Sequence, residues 1–301
     1  MGGNAFVGVD LGGTKIEVAV LDLAGGVIFR KRAPTPPQDY DATLDAVSEL
    51  VAAADETAGA TPPVGIGIPG AISPATGLVK NANSTWLNGR PFDRDIARRL
   101  DRAVRVANDA NCFAMSEASD GAAAGLSPVF GVILGTGVGG GIVVEGRILT
   151  GADAIAGEWG HTPLPYPADD ERPGERCWCG RSGCLETWLS GPALMRDHER
   201  RTGRRWSPAQ IASAADAGDA GAEAALARYA DRLARGLSVV VNILDPAAIV
   251  LGGGLSNLAR LYGSVPPLLE KLVFSDRLAT RLLPPMHGDS SGVRGAARLW
   301  T

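Results

Sequence analysis

The 301-residue sequence predicts an α/β protein of two domains, on three observations. Short runs rich in valine and isoleucine end in glycine turns, as strands do. Longer segments carry apolar residues at steps of three and four, the period of an amphipathic helix. A strand, Gly/Thr turn, strand design also occurs twice, at residues 6–21 and again at 129–145. The length suits two domains, and 45% hydrophobic content is enough to bury a core in each.

Phe6 to Asp10, Ile16 to Leu21 and Val27 to Lys31 read as a meander of three strands. The first turn, Asp10-Leu11-Gly12-Gly13-Thr14-Lys15, sets a carboxylate at a strand end and bares backbone amides suited to phosphate oxygens. A tight hairpin that needs glycine for positive φ has the same composition. It is not a Walker loop, because Gly-x-x-x-x-Gly-Lys-Ser/Thr is absent. Leu44, Val47, Leu50, Val51 and Ala54 place a helix over 41–58, and Val64 to Ile68 is a buried strand ended by Pro69-Gly70. The polar loop Lys80 to Trp86 offers amides and hydroxyls beside an aromatic, which suits a sugar and equally describes a long surface loop. A helix from Phe92 to Leu100 leads into the strand Val104 to Ala107, which ends at Asn108-Asp109. A carboxylate where a strand hands over to a helix suits a general base, and Asn and Asp also cap helices there.

In the second half, Phe130 to Leu134 and Ile142 to Glu145 flank a glycine turn running from Gly135 to Gly141. Gly135 to Gly140 satisfies Gly-x-Gly-x-x-Gly, but β-branched residues and another turn follow, so the dinucleotide-binding context fails. Ser207-Pro208-Ala209-Gln210 is a capping box with proline at the first helical position. Leu226, Tyr229, Leu233, Leu237, Val240 and Leu244 line one face of a long helix that Asp245-Pro246 ends. The strand Ala248 to Leu251 runs into Gly252-Gly253-Gly254, with Ser256 placed to cap a next helix. That geometry fits a nucleotide contact or a helix-packing turn. Residues 289–297 form a last helix after a polar loop.

Three of the four cysteines, Cys177, Cys179 and Cys184, fall within eight residues, and His161 lies sixteen residues before the first. Three thiolates and an imidazole would close a tetrahedral zinc shell with no open position, as in a structural site. Glu158 and Glu186 lie at the two ends of this stretch and would be fixed relative to each other; a zinc knuckle that only shapes a loop or a partner surface is the simpler reading. Cys112 reads as a small buried thiol. Clustering at metal spacing argues against a disulfide framework and for a reducing compartment. A net charge of −4 with interspersed signs offers no basic face to nucleic acid or an anionic membrane. No apolar run approaches a membrane span and no leader precedes the first strand, so the expectation is a cytoplasmic protein with small-molecule partners.

Taken together, the two Gly/Thr turns, the third glycine loop, Asn108-Asp109, Gly157 to His161 and the cysteine cluster resemble the ROK family of sugar kinases. The resemblance covers nearly the whole chain. Lys80 to Gly89 (KNANSTWLNG), Asn108 to Cys112 (NDANC), Gly157 to His161 (GEWGH) and Asp289 to Ala297 (DSSGVRGAA) are similar to the bacterial fructokinases of that family, of the manno(fructo)kinase type. The resemblance implies an actin-like ATPase fold: two ribonuclease H-like α/β lobes, ATP and sugar in the cleft between them, and an inserted zinc-binding loop. The small lobe would span 1–107, completed by a C-terminal helix at about 288–301, and the large lobe 108–287. It implies nucleotide contacts at Asp10, Gly12, Gly13, Thr14 and Lys15, at Gly135, Thr136 and Gly137, and at Gly252, Gly253 and Gly254. Asp109 matches the catalytic base, with Gly70, Asn83, Asn108, Glu158, His161 and Glu186 on the sugar. His161, Cys177, Cys179 and Cys184 match the zinc ligands, and Asp10 would meet Mg²⁺ through water. The implied reaction converts ATP and D-fructose to ADP and D-fructose 6-phosphate, with glucose, mannose or an N-acetylhexosamine as alternative acceptors and a homodimer as the expected assembly. Sugar-responsive repressors of the family carry an added helix-turn-helix, for which a first strand at about residue 5 leaves no room.

Overall fold

Alternating valines put the first sheet at the very start of the chain. In the computed structural model, which describes residues 5–301, β1 (Ala5–Leu11) and β2 (Lys15–Asp22) form an antiparallel hairpin registered from Ala5 opposite Asp22 to Leu11 opposite Ile16. β3 (Val27–Pro34) continues the meander. β2 is buried on both faces from Ile16 to Leu21, apolar but for Glu17, whose two oxygens accept from Arg30 and Arg32 on β3. α1 (Tyr40–Ala58) begins where the Asp39 side chain accepts the Ala42 N–H and stops at Gly59, φ 62°. β4 (Val64–Ile68) runs parallel to β1, and β5 (Ala71–Ile72) pairs with β6 (Val79–Lys80) in a small separate ladder. α2 (Phe92–Leu100), β7 (Val104–Asn108) and α3 (Asp109–Ser119) follow. The resulting sheet has the order β3-β2-β1-β4-β7.

The second sheet repeats this scheme. β8 (Val129–Leu134) turns into β9 (Val138–Val144), and β10 (Arg147–Ile148) lies antiparallel to β9. After the cysteine stretch come α4 (Glu186–Leu189), α5 (Gly191–Thr202), α6 (Pro208–Asp216) and α7 (Ala220–Leu244). β11 (Ala248–Gly252), α8 (Leu261–Leu269), β12 (Arg281–Leu283) and α9 (Ser291–Ala297) complete the chain. The order is β10-β9-β8-β11-β12, with β8, β11 and β12 parallel. Each sheet therefore joins a meander to two parallel strands, as the expected actin-like ATPase fold asks. The duplication seen in two glycine turns is a duplication of whole sheets.

Several expectations need correcting. The second glycine turn is only Gly135 to Gly137; Gly139 to Gly141 belong to β9. Glycine is needed there for close approach, since a Cβ on Gly140 would lie 2.7 Å from the Gly157 carbonyl oxygen and 2.8 Å from the Trp159 ring. The capping box at Ser207 and the long helix ended at Asp245 are both present as expected, in α6 and α7, and α7 has its own cap in Asp219. Ser256 does not cap a helix: it sits in a short 3₁₀ turn, Gly254–Asn257, and its hydroxyl donates to the Gly253 carbonyl.

The chain divides into two compact units, Met1–Gly125 with Gly141–Ala156 and Met286–Thr301, and Leu126–Gly140 with Gly157–Pro285. Residues 1–4 and the side chain of Asp289 lie outside the described structure. α3 belongs to the first unit, although the expected lobe boundary falls at 107/108, because it packs along α9. Gly8 on β1 and Gly65 on β4 admit the α9 backbone: a Cβ at either would collide with the carbonyl of Val293 or Ala296. Among the described residues, no helix is long and apolar enough to cross a membrane.

Candidate active site

In the first unit the Gly12–Thr14 turn is held by its own backbone and by Thr35. Gly12 N–H donates to the Lys15 carbonyl (3.0 Å), the Thr35 hydroxyl to the Gly12 carbonyl (2.7 Å), and Thr35 N–H to the Thr14 carbonyl (3.0 Å). Gly13, Thr14 and Lys15 remain exposed. Asp10, at the end of β1, faces Gly292 so closely that a Cβ there would lie 2.6 Å from its Oδ2. Burial, and then the charge of Asp109, push the Asp10 carboxyl up to about 7. The cap of α3 is Asn108, whose side-chain oxygen accepts the Ala110 N–H at 2.9 Å. Asp109 is thereby the first helical residue, exposed, with Oδ1 2.8 Å from the same N–H. Asn108 Nδ2 donates to the Gly70 carbonyl (3.1 Å), and Gly70, at φ 75°, lies against the backbone of Ala82. Asn83 is exposed between buried Ala82 and buried Ser84, and the Ser84 hydroxyl oxygen faces Gly13. Gly70, Asn83 and Asn108 are thus brought beside the first glycine turn.

In the second unit the corresponding turn is held by Glu186 and α5. Gly135 N–H donates to the Gly137 carbonyl (3.0 Å), and Gly191 N–H donates to the Gly135 carbonyl (2.8 Å). Glu186 Oε2 accepts the Val138 N–H at 3.0 Å and fills the space where a Gly137 side chain would lie. Its other oxygen is 3.8 Å from Cys177 Sγ. The third glycine loop adjoins this turn: Gly252 pairs with Ile133, and Gly253, at φ 77°, covers the Leu134 carbonyl.

The ligating atoms of His161, Cys177, Cys179 and Cys184 all lie within 4.8 Å of one another. Cys177 Sγ is 3.6 Å from His161 Nδ1, and Cys179 Sγ is 3.6 Å from Cys184 Sγ. Tetrahedral zinc holds sulfur and nitrogen ligands about 3.5 to 3.8 Å apart, so this donor set fits the ion. The chemistry agrees, since burial and then the neighbouring Cys179 push the Cys184 thiol up to about 12 while the Arg181 backbone N–H pulls Cys179 down. A cation removes the repulsion that opposes a third thiolate. Glu158 opens the 3₁₀ turn Trp159–His161, and Leu185 N–H donates to the Thr162 carbonyl (2.8 Å), so the His161 turn and the segment from Cys184 to the start of α4 are tied by backbone as well. A cavity of about 180 Å³ between the second turn and this loop is lined by Thr136, Cys177, Trp178, Glu186, Ser190 and Arg196. Behind it, buried Glu171 bonds to Arg232 (2.7 Å) and Arg235 (2.9 and 3.0 Å). Burial works the other way, but hydrogen bonds from Arg235 and Arg232 hold its carboxyl down to about 2.

Thr35, Gly191 and the Glu171 network carry no sequence signal, and Ser84 carries one only as part of the polar loop Lys80 to Trp86. They act through partners many residues away, and a lone hydroxyl or carboxylate has no period or motif to announce it.

The ROK family profile matches residues 6–301. The chain belongs to the ROK family. An N-acetyl-D-glucosamine kinase of Escherichia coli O9:H4 (strain HS) is 42% identical over 298 residues, covering 98% of each chain. A ROK hexokinase from Thermus thermophilus superposes with a TM-score of 0.86 at 30% identity, over 98% of this chain and 97% of that one. A ROK family glucokinase from Streptomyces griseus, solved with glucose and AMPPNP, gives 0.78 at 29% identity over 98% of both. With 42% identity to that kinase over 98% of the chain, this ROK protein is a sugar kinase.

Proposed function

We propose that this kinase transfers the γ-phosphoryl group of ATP to the primary hydroxyl of a hexose, with D-fructose as acceptor and Asp109 as general base. The observation that carries the chemistry is the pair of Gly/Thr turns, each at the head of a meander with its threonine exposed, together with an exposed carboxylate at the first residue of α3. Phosphoryl transfer asks for little covalent help, so positioning and charge neutralisation dominate. Gly12 to Lys15 and Gly135 to Gly137 would hold the phosphates by their amides, and Gly252 to Gly254 would approach the adenosine. Mg²⁺, which Asp10 would meet through water, neutralises phosphate charge when bound. Asn83, Asn108 and Gly70, with Glu158, His161 and Glu186, would bind the sugar hydroxyls. Asp109 would take the proton from the attacking hydroxyl. The lobes would be 1–107 with 288–301, and 108–287. Zinc on His161 and the three cysteines would be structural.

Fructose is supported by four segments: Lys80 to Gly89, Asn108 to Cys112, Gly157 to His161 and Asp289 to Ala297. N-acetyl-D-glucosamine is the second reading, favoured by the name of the relatives at 42% identity. A coupled ADP-release assay with fructose, mannose, glucose and N-acetylglucosamine decides. Fructose is expected to give the highest kcat/KM, and Asp109→Asn to lower kcat by about 10² to 10⁴ with sugar binding within a few-fold. Highest efficiency on N-acetylglucosamine selects the second reading. Equal efficiency on all four removes fructose, and near-normal turnover in Asp109→Asn removes Asp109 from the base role.

A further inference from the structure

The chain from Val79 to Arg90 leaves the small β5–β6 ladder as a loop, and its base is closed by backbone: Val79 N–H donates to the Arg90 carbonyl (2.9 Å) and Gly89 N–H to the Val79 carbonyl (2.8 Å). One step further in, a side chain takes over. Asn88 Oδ1 accepts the Ala82 N–H and Asn88 Nδ2 donates to the Ala82 carbonyl, both at 2.9 Å. A carboxamide carries one acceptor and two donors, so it pairs with a residue's N–H and C=O as a neighbouring strand would.

What this clip fixes is specific. Ala82, 4% exposed, presses on Gly70, where a Cβ would come within 2.7 Å of the Ala82 nitrogen. Two residues on, buried Ser84 sets its hydroxyl oxygen against Gly13 of the first glycine turn. Asn83 hangs between these two anchors. The far side of the loop is braced separately, by fully buried Leu87 and by Trp86, whose Nε1 donates to Thr43 Oγ1 (3.3 Å).

We infer that Asn88 is a positioning residue for the acceptor sugar: its amide clips Ala82 in place and so fixes where Asn83 stands between the Gly70 contact and the first phosphate turn. The inference rests on the proposed reading of Asn83 and Gly70 as sugar contacts. Asn88 itself touches no substrate. Asn88→Asp keeps the shape but loses the donor and turns a negative charge toward the Ala82 carbonyl; Asn88→Ala loses both bonds.

The test is steady-state kinetics on Asn88→Ala, Asn88→Asp and Asn83→Ala, varying the acceptor and ATP separately, with a thermal melt of each. Two neutral hydrogen bonds, each of modest net worth, predict a rise in acceptor KM of about three- to tenfold in both Asn88 variants, with the KM for ATP within about twofold. Melting should stay close to the parent, because Leu87 and Trp86 still hold the loop. Unchanged acceptor KM in both Asn88 variants, while Asn83→Ala raises it, overturns the role of Asn88 and leaves the sugar loop standing. KM values for both substrates rising together with a fall in melting temperature mean a structural brace only, which also overturns it. If Asn83→Ala itself leaves acceptor KM unchanged, the loop does not meet the sugar, and the reading of Asn83 falls together with this inference.

Discussion

Asp10 shows how much a single position can be asked to do. Its carboxyl ends a strand, touches Gly292 and feels Asp109, and burial lifts it from the ordinary 3.8 to about 7. A raised carboxylate binds a proton in the folded state that the unfolded chain releases near pH 4. Its stabilising contribution is therefore complete below about pH 4 and is lost as the pH climbs through about 7. Asp10→Asn removes that dependence. Denaturant unfolding at pH 4.5, 6 and 7.5 should show the variant gaining stability relative to the parent at each step upward, and parallel profiles would refute the raised carboxyl. Asp10, Asn108 and Glu186 stood out in the sequence because each adjoins a glycine turn, a strand end or a cysteine. Thr35 did not, and Ser84 and Asn88 stood out only as members of the segment Lys80 to Gly89, since what distinguishes each is a partner: the Gly12 carbonyl, the face of Gly13 and the Ala82 backbone. Residue type and spacing announce chemistry carried by a motif, whereas Thr35 and Ser84 act on backbone brought near by folding and Asn88 on backbone six residues back in its own loop.

At the scale of elements, the cysteine loop is the clearest case. Its donor set was legible from spacing, because thiolates and imidazole have few other reasons to cluster. Its connection to the second glycine turn was not, since that runs through Glu186 to the Val138 N–H, 48 residues back in the chain. If zinc occupies the site as proposed, losing it should therefore disturb more than the loop. Cys179→Ser replaces a thiolate by a weak ligand, and metal analysis should find zinc well below one ion per chain. The acceptor KM should rise, or activity disappear, while circular dichroism shows the helices retained. Two large cores stand outside the loop, and the Leu185–Thr162 backbone bond and the Glu175 pairs with Arg196 and Arg200 hold it without the metal. A zinc-free protein with unchanged kinetics would reduce the loop to a surface knuckle.

The whole chain is two copies of one sheet plan, and the fold class was legible because each copy starts with the same pair of strands around a Gly/Thr turn. How the chain closes was much less so. α9 carries the last residues back onto the first strand, and the glycines that permit it, Gly8, Gly65 and Gly295, look in sequence like loosening residues within strand or helix. Their use is close approach: a Cβ on Gly295 would run into the Cys112 carbonyl on α3 and come within 2.9 Å of its Cα. Glu117, fully buried, accepts the Ala122, Met286 and His287 N–H groups and the Ser291 hydroxyl, which fixes where α9 begins. Asp120, paired with Arg294 at 2.7 Å and Arg298 at 3.0 Å, fixes how it lies. With both ends held, α9 cannot slide to relieve a methyl group, so Gly295→Ala must push it off α3. Overpacking of this kind costs about 1 to 3 kcal/mol, or more where backbone is the obstacle. In a compact unit of this size that lowers melting by about 2 to 12 °C, at about 2 to 4 °C for each kcal/mol. Because there are two compact units, the loss should appear in a transition that also exposes Trp300, whose Nε1 donates to the Val64 carbonyl, rather than as a uniform shift. Calorimetry with tryptophan fluorescence on the parent and on Gly295→Ala measures this, and a variant melting with the parent would show that α3 and α9 are not packed backbone to backbone.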